Sequence, residues 1–337
     1  MSKKIKCAII TENLYDADRV YTDEIRNKLS TDYDICGSVI TRKNIAEHTD
    51  FLKDAEFLFS TWGMDRFSEE EIKYYFPNLK CLFYSAGSVQ HFAREFLSLS
   101  VRVFSAWRAN AVPVAEYVHS QILLAGKGFF GSQKLLKSSS WEISRQYASH
   151  FTGNYKLKVG IIGVGEIGSA VAEKLKTNSV DVFYYDPFLS SEKAKKLNIQ
   201  KASLEEIFSN CDVITNHLAN KDELTGILSE ELFGIMKPYA VFINTGRGRQ
   251  VDEHGLIKAM KSVPTRTALL DVVCEEPVSK NNPLLLCDNI ILTPHIAGSS
   301  GREVERMAEY MLEEAKRVTA NEETKHEVTL EMLKTMA

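Results

Sequence analysis

Gly163-Val164-Gly165-Glu166-Ile167-Gly168 is the stretch that most restricts what this chain can fold into. Three glycines at this spacing are weak on their own, because glycines cluster by chance. Here they follow an apolar run, Lys158–Ile162, and precede Ser169–Lys176, where Val171, Ala172 and Leu175 mark a helix. A buried strand turning at once into a helix is the building unit of doubly wound parallel sheets. In that unit the first glycine permits the turn, the second lets a ligand reach the backbone, and the third lets helix and strand pack closely. The helix start then faces an anionic group. Gly163, Gly165, Glu166, Ile167 and Gly168 are therefore expected to hold the pyrophosphate of a dinucleotide.

A second strand, Val180–Tyr185, ends in Asp186, about 20 residues beyond the glycines, where such folds place a ribose-binding acid. An acid there accepts from ribose hydroxyls and repels a 2′-phosphate. No arginine follows in Asp186-Pro187-Phe188-Leu189, so NAD(H) is expected over NADP(H).

Three later stretches deliver an arginine, a carboxylate and a histidine. Val241–Asn244 reads as a buried strand leading to Thr245-Gly246-Arg247-Gly248. An arginine at a strand's C-terminal edge suits bidentate binding of a carboxylate and polarisation of a neighbouring carbonyl. Ala268–Asp271 is another strand, with Glu276 just beyond it, and Ile290–Leu292 leads to Thr293-Pro294-His295. A Glu276–His295 hydrogen bond would orient the imidazole and stabilise its protonated form, which suits acid–base work near neutral pH. Arg247, Glu276 and His295 are the candidate catalytic set. Thr245, Gly246, His295 and Gly298 join the candidate cofactor contacts. Asp271 is either a neighbour of the nicotinamide or a strand-end cap, and His217, after a strand at Asp212–Thr215, is placed in the cofactor groove. The other histidines carry no partner pattern.

The first hundred residues show the same alternation without a glycine loop. Ile5–Ile10, Asp34–Ile40, Glu56–Ser60, Cys81–Ser85 and Val101–Phe104 read as strands, with helix-like segments such as Asp18–Leu29 and Glu69–Tyr75 between them. That is a second parallel α/β domain. Asn110-Ala111-Val112-Pro113 then opens an unusually apolar helix over Val114–Leu124, ended by Gly126, Gly128 and Gly131. Ser132–Asn154 reads as a polar connection, with Trp141 in local packing or reaching a neighbouring subunit. Near the end, Val304, Met307, Ala308, Met311, Leu312, Ala315 and Val318 mark one amphipathic helix, placed to return to the N-terminal domain.

Composition sets the outer bounds. A chain of 337 residues is long for one core, and 44% apolar with 26% charged residues is ordinary for a globular protein. A net charge of -4 without a basic cluster argues against a nucleic-acid partner. No apolar run approaches a membrane span, and Cys7-Ala8-Ile9-Ile10 is too short for a signal h-region, so a cytoplasmic location is expected. The six cysteines are scattered, none in metal-ligand spacing, and read as free thiols; no metal is expected.

Taken together, these motifs resemble the D-isomer-specific 2-hydroxyacid dehydrogenase family over nearly the whole chain. The resemblance includes Ser85-Ala86-Gly87-Ser88-Val89, similar to the family's substrate-carboxylate loop, and Asn110–Glu116 at its domain crossing. It continues through the glycine loop, Asn244–Gly248 with Val251-Asp252-Glu253, Leu270–Pro277 and Thr293–Ile296. It implies an α/β protein of two Rossmann-like, parallel-sheet domains, one flavodoxin-like and one NAD-binding, with the active site in a cleft. The expected boundaries are 1–108 with 300–337 for a discontinuous substrate domain and 109–299 for the NAD-binding domain, including a dimerisation segment at about 111–154. It further implies a homodimer that interconverts a 2-keto acid and a D-2-hydroxy acid, with Arg247 on substrate, Glu276 supporting the histidine and His295 as acid/base. Trp62, Ala86, Gly87, Ser88, Val89 and Arg247 are the expected substrate contacts. Trp62 suits an apolar or aromatic substituent, whereas Arg66 and Arg108 suit a second anion such as phosphate. Ala219 replaces the family's usual proline, Gly246 its usual alanine or serine, and Gln90-His91 an acidic residue. The glutamate at 276 argues against the formate-dehydrogenase branch. The competing reading is an NAD(H)-sensing, corepressor-like regulator on the same fold.

Overall fold

In the computed structural model, which describes residues 4–334, the chain divides into two compact units, Met1–Asn110 with Ser299–Ala337 and Ala111–Gly298. The first unit begins with β1 (Lys6–Ile10), β2 (Asp34–Ile35), β3 (Phe57–Ser60), β4 (Cys81–Tyr84) and β5 (Arg102–Ser105), all parallel in the order β5-β4-β3-β1-β2. Helices cover both faces, which is why β3 and β4 are buried at every position. Phe59, Phe83 and Phe104 stack across neighbouring strands at 5.1 and 4.9 Å between ring centres. The strand expected over Asp34–Ile40 stops at Ile35, leaving one bridge between Ile10 and Ile40, because exposed Gly37 and Ser38 interrupt it. The helical segment expected over Asp18–Leu29 is two helices, Leu14–Val20 and Asp23–Asp32, the first capped by the Asn13 side chain.

The second unit contains β6 (Lys158–Ile162), β7 (Asp181–Tyr185), β8 (Gln200–Lys201), β9 (Val213–Asn216), β10 (Val241–Asn244), β11 (Thr267–Leu270) and β12 (Ile290–Leu292). They form one parallel sheet ordered β12-β11-β10-β9-β6-β7-β8. The chain runs outward from β6 in both directions. The strand order therefore reverses between β6 and β9, and the crevice beyond their C-terminal ends is where open α/β sheets bind ligands. The helix over Trp107–Gly126 begins upstream of the expected start, so Pro113 lies within it. Ser132–Asn154 is not a polar connection: helices span Phe129–Ser138 and Trp141–Ala148, the latter capped by Ser140. Their apolar residues Phe129, Leu136, Trp141 and Ile143 are exposed, so no buried stripe announces them.

The helix Glu303–Thr319 carries the chain back to the first unit, burying Val304, Met307, Ala308, Met311, Leu312 and Ala315 in its core. Glu314 on the same face is fully buried. It pairs with Arg317 at 2.7 Å and accepts the N–H groups of Lys325 and His326 at 2.8 and 3.2 Å. A buried carboxylate is tolerable only with such partners. They fix the turn into β13 (Glu327–Val328), which pairs antiparallel with β5 and completes a six-stranded sheet. Among the described residues no helix is long and apolar enough to cross a membrane, and no cluster of metal-ligating side chains occurs.

Candidate active site

The glycine loop closes directly on the neighbouring strand end. Gly163 has φ +83°, and a Cβ there would lie 2.7 Å from the His217 carbonyl oxygen. At Gly168 a Cβ would collide with the Gly163 carbonyl, so helix Glu166–Leu175 sits hard against the loop. A Cβ at Gly165 would meet only open space, and no side chain caps the helix start there. Asp186, just after β7, accepts from Val164 N–H at 2.7 Å and Phe188 N–H at 2.8 Å, which holds a carboxylate beside the loop.

Two buried polar atoms on adjacent strand ends, His217 Nδ1 and Thr245 Oγ1, have no protein partner among the described residues. Burial pushes the His217 imidazole down to about 3, so the ring is neutral, with Nε2 3.0 Å from Thr215 Oγ1. An open helix start, an acid on the next strand and these unmatched polar atoms fit a dinucleotide.

Arg247 stands just beyond β10, held by a set of buried amides. Asn216 Nδ2 donates to Asn244 Oδ1 and Gln250 Oε1 at 3.0 and 2.8 Å. Gly246 N–H donates to Asn244 Oδ1, and Gln250 Nε2 to the Leu218 and Ala219 carbonyls. Arg247 N–H donates to Gln250 Oε1 at 3.3 Å, and its Nη1 to the Gly246 carbonyl at 2.7 Å. A Cβ at Gly246 would lie 3.0 Å from both Asn216 Nδ2 and Gln250 Oε1, so the small residue suits this packing. Burial weakens the hold of Arg247 on its proton, and the Glu276 carboxylate partly offsets this.

His295 Nδ1 lies 2.7 Å from Glu276 Oε2, while Glu276 Oε1 accepts the N–H of Val273 at 3.1 Å. Among the described residues Nε2 of His295 has no partner, and the side chain is half exposed. The histidine is at φ +54°, and its N–H donates to the Asp271 carbonyl at 3.0 Å. The buried Asp271 side chain takes Thr293 Oγ1 on one oxygen at 2.6 Å, with Ile296 N–H at 2.9 Å, and Ala297 N–H on the other at 2.9 Å. Tyr117 extends this chain to Thr293 Oγ1 at 3.0 Å. The carboxylate thus clamps the loop that carries the histidine. Gly298 follows that loop as the last residue of the second unit. Cys274 is exposed, but burial of its sulfur and the Glu253 carboxylate push the thiol up to about 11. It is therefore protonated near neutrality and no nucleophile.

In the first unit, Trp62 follows β3 and Ala86–Val89 follow β4, the neighbouring strand. Sequence reasoning missed Asn216, Asn244, Gln250, Tyr117 and Thr293 as supports of the site. One signal was present: Asn216 and Asn244 are polar residues ending apolar runs, at paired positions of β9 and β10.

The chain matches the family described as D-isomer specific 2-hydroxyacid dehydrogenase, NAD binding domain, over residues 119–297. It is 30% identical over 238 residues to a glyoxylate reductase of Thermofilum pendens, covering 69% of this chain and 70% of that protein. It is 33% identical over 198 residues to a D-3-phosphoglycerate dehydrogenase of Archaeoglobus fulgidus, covering 59% of this chain but only 37% of that longer protein. A solved structure of a phosphoglycerate oxidoreductase from Rhizobium etli has the same fold, with a TM-score of 0.79, 23% identity, and 95% of this chain and 97% of that one covered. This chain belongs to the D-isomer-specific 2-hydroxyacid dehydrogenase family and carries its NAD-binding domain.

Proposed function

We propose that this family member is an NAD(H)-dependent oxidoreductase that interconverts a 2-keto acid and a D-2-hydroxy acid. The observation that carries the reading is the Glu276–His295 pair, 2.7 Å apart, with the far nitrogen of the imidazole unbonded and accessible. Glu276 fixes the proton on Nδ1 and holds the orientation of the ring. His295 Nε2 then gives a proton to the substrate oxygen in reduction and takes one in oxidation. Arg247 keeps Nε and Nη2 without a protein acceptor among the described residues, and it binds the substrate carboxylate and steadies charge on the neighbouring oxygen. The bound dinucleotide supplies or accepts the hydride. Asp186, with no arginine in the residues that follow it, supports NAD(H) over NADP(H).

Exposed Phe129, Leu136, Trp141 and Ile143 on two consecutive helices support a homodimer formed through the second unit. Free cysteines support a reducing compartment, the cytoplasm.

The test is NADH oxidation against a panel of 2-keto acids, with NADPH in parallel. Turnover is expected, and His295→Ala and Arg247→Ala should each lower kcat/KM by about 10²-fold or more. A near-wild-type rate for His295→Ala would sink the assignment. NADH binding without turnover on any member would favour the NAD(H)-sensing regulator.

A further inference from the structure

Two loops of the second unit meet at one buried side chain, Gln250. Residues 217–219 follow β9, and Arg247 lies just beyond β10, the neighbouring parallel strand. Gln250 is fully buried between them. A carboxamide has two donor hydrogens and two acceptor lone pairs, and all four are used here. Nε2 donates to the Leu218 and Ala219 carbonyls at 3.1 and 2.7 Å. Oε1 accepts from Arg247 N–H at 3.3 Å and from Asn216 Nδ2 at 2.8 Å. An amide is costly to bury unless its bonds are made, and an apolar side chain would fill the same space without that cost. What the amide adds is a link of fixed length between the two loops.

Each end of the link is itself held. On one side, His217 N–H donates to the Ile162 carbonyl at 2.7 Å, and Leu218 N–H to Asn216 Oδ1 at 3.2 Å. Gly163 packs directly on the His217 carbonyl, so residues 217–219 stand between the glycine loop and Gln250. On the other side, Gly246 and Gly248 flank Arg247 and offer no side chain to hold the turn. The Arg247 carbonyl accepts from Asn244 Nδ2 at 3.3 Å and from Gln250 N–H at 3.4 Å. Gln250 therefore grips Arg247 on both its N–H and its carbonyl. The backbone repeats the tie: Gly226 N–H donates to the Arg249 carbonyl at 2.9 Å, and Leu228 N–H to the Gln250 carbonyl at 3.0 Å. The segment that begins at residue 217 is thus fastened to the arginine turn at its start and again at residues 226–228.

We propose, resting on the dehydrogenase reading above, that Gln250 is a positioning residue for the reaction, setting the place of the Arg247 guanidinium relative to residues 217–219 at the dinucleotide groove. Fully buried, it acts through Arg247 and not by contact with a ligand.

The experiment measures kcat, KM and NADH affinity, the last by fluorescence, on the 2-keto acid that the parent turns over fastest. The variants are Gln250→Met, Gln250→Asn, Arg247→Ala, and Gln250→Met combined with Arg247→Ala. Methionine fills the volume without the amide, and asparagine keeps the amide on a stem one carbon too short to serve both loops. Gln250→Met should lower kcat/KM by about tenfold or more, as misplacement of a binding group does, while NADH affinity changes far less. In the Arg247→Ala background the same substitution should have little further effect, because the group it places is gone. Equal factors in the two backgrounds overturn the proposal, as does a loss of NADH affinity as large as the loss in kcat/KM. So do parent rates in both Gln250 variants. Each of these results leaves the dehydrogenase reading intact. Urea unfolding reports the fold, and Gln250→Asn is read by the same criteria if the methionine variant does not fold. No turnover by the parent on any keto acid, with NADH bound, removes both readings.

Discussion

At the scale of single residues, neutrality is as telling as charge. His217 is buried with its imidazole held down to about 3, against an ordinary value of 6.5. Between those values the unfolded chain binds a proton that the folded chain refuses. Stability contributed by the neutral ring is therefore complete above 6.5 and is lost as pH falls through this window. Replacing His217 by asparagine should flatten that dependence: urea unfolding at about pH 7 and about pH 4.5 should differ less in the variant than in the parent. Equal slopes would show that the ring is not held neutral. Arg247, Glu276 and His295 were legible because each polar residue interrupts or follows an apolar strand at a place where strands end. Gln250 was not, because its role lies in bonds to Asn216, Leu218 and Ala219, which no local pattern encodes.

At the scale of elements, the loop after β12 owes its course to a partner on β11's end. Both oxygens of Asp271 are engaged with it, so the aspartate acts on the histidine through backbone position. Asp271→Ala strands the buried Ala297 N–H and leaves the Thr293 hydroxyl with Tyr117 alone, and should cost about 1–3 kcal/mol of stability. It should also reduce kcat more than it raises KM, with Asp271→Asn recovering part of both effects. Kinetics and denaturant unfolding of the two variants check this, and a wild-type kcat in Asp271→Ala would rule the clamp out. Elements with a buried face were readable to within a few residues, as at β6, β10 and β12. The helices Phe129–Ser138 and Trp141–Ala148 were not, because the first has no fully buried residue and the second only Ser144. Where tertiary burial does not impose a stripe, periodicity has nothing to report. β13 was invisible for a different reason: two residues are too few for a pattern, and its position comes from Glu314 and the Arg102–Glu327 pair.

For the whole molecule, the same two helices bear on assembly. If their exposed side chains form the dimer contact, Trp141→Asp combined with Ile143→Asp should convert a dimer to a monomer in sedimentation velocity, while NADH still binds. A parent that sediments as a monomer contradicts the homodimer. The alternation of apolar runs and helical segments made two parallel sheets legible at this scale, and the amphipathic segment near 304–318 announced the return of the chain. What it did not reveal is that the two crossing points are joined: Ser299 N–H donates to Asn110 Oδ1 at 2.9 Å. The consequence is one of timing. A ribosome delivers the first five strands early, but the helix that covers their core through Val304, Met307 and Met311 arrives only after all of the second unit. The first unit is therefore begun before the second and completed after it, and until then the part of its apolar face that this helix covers stays open.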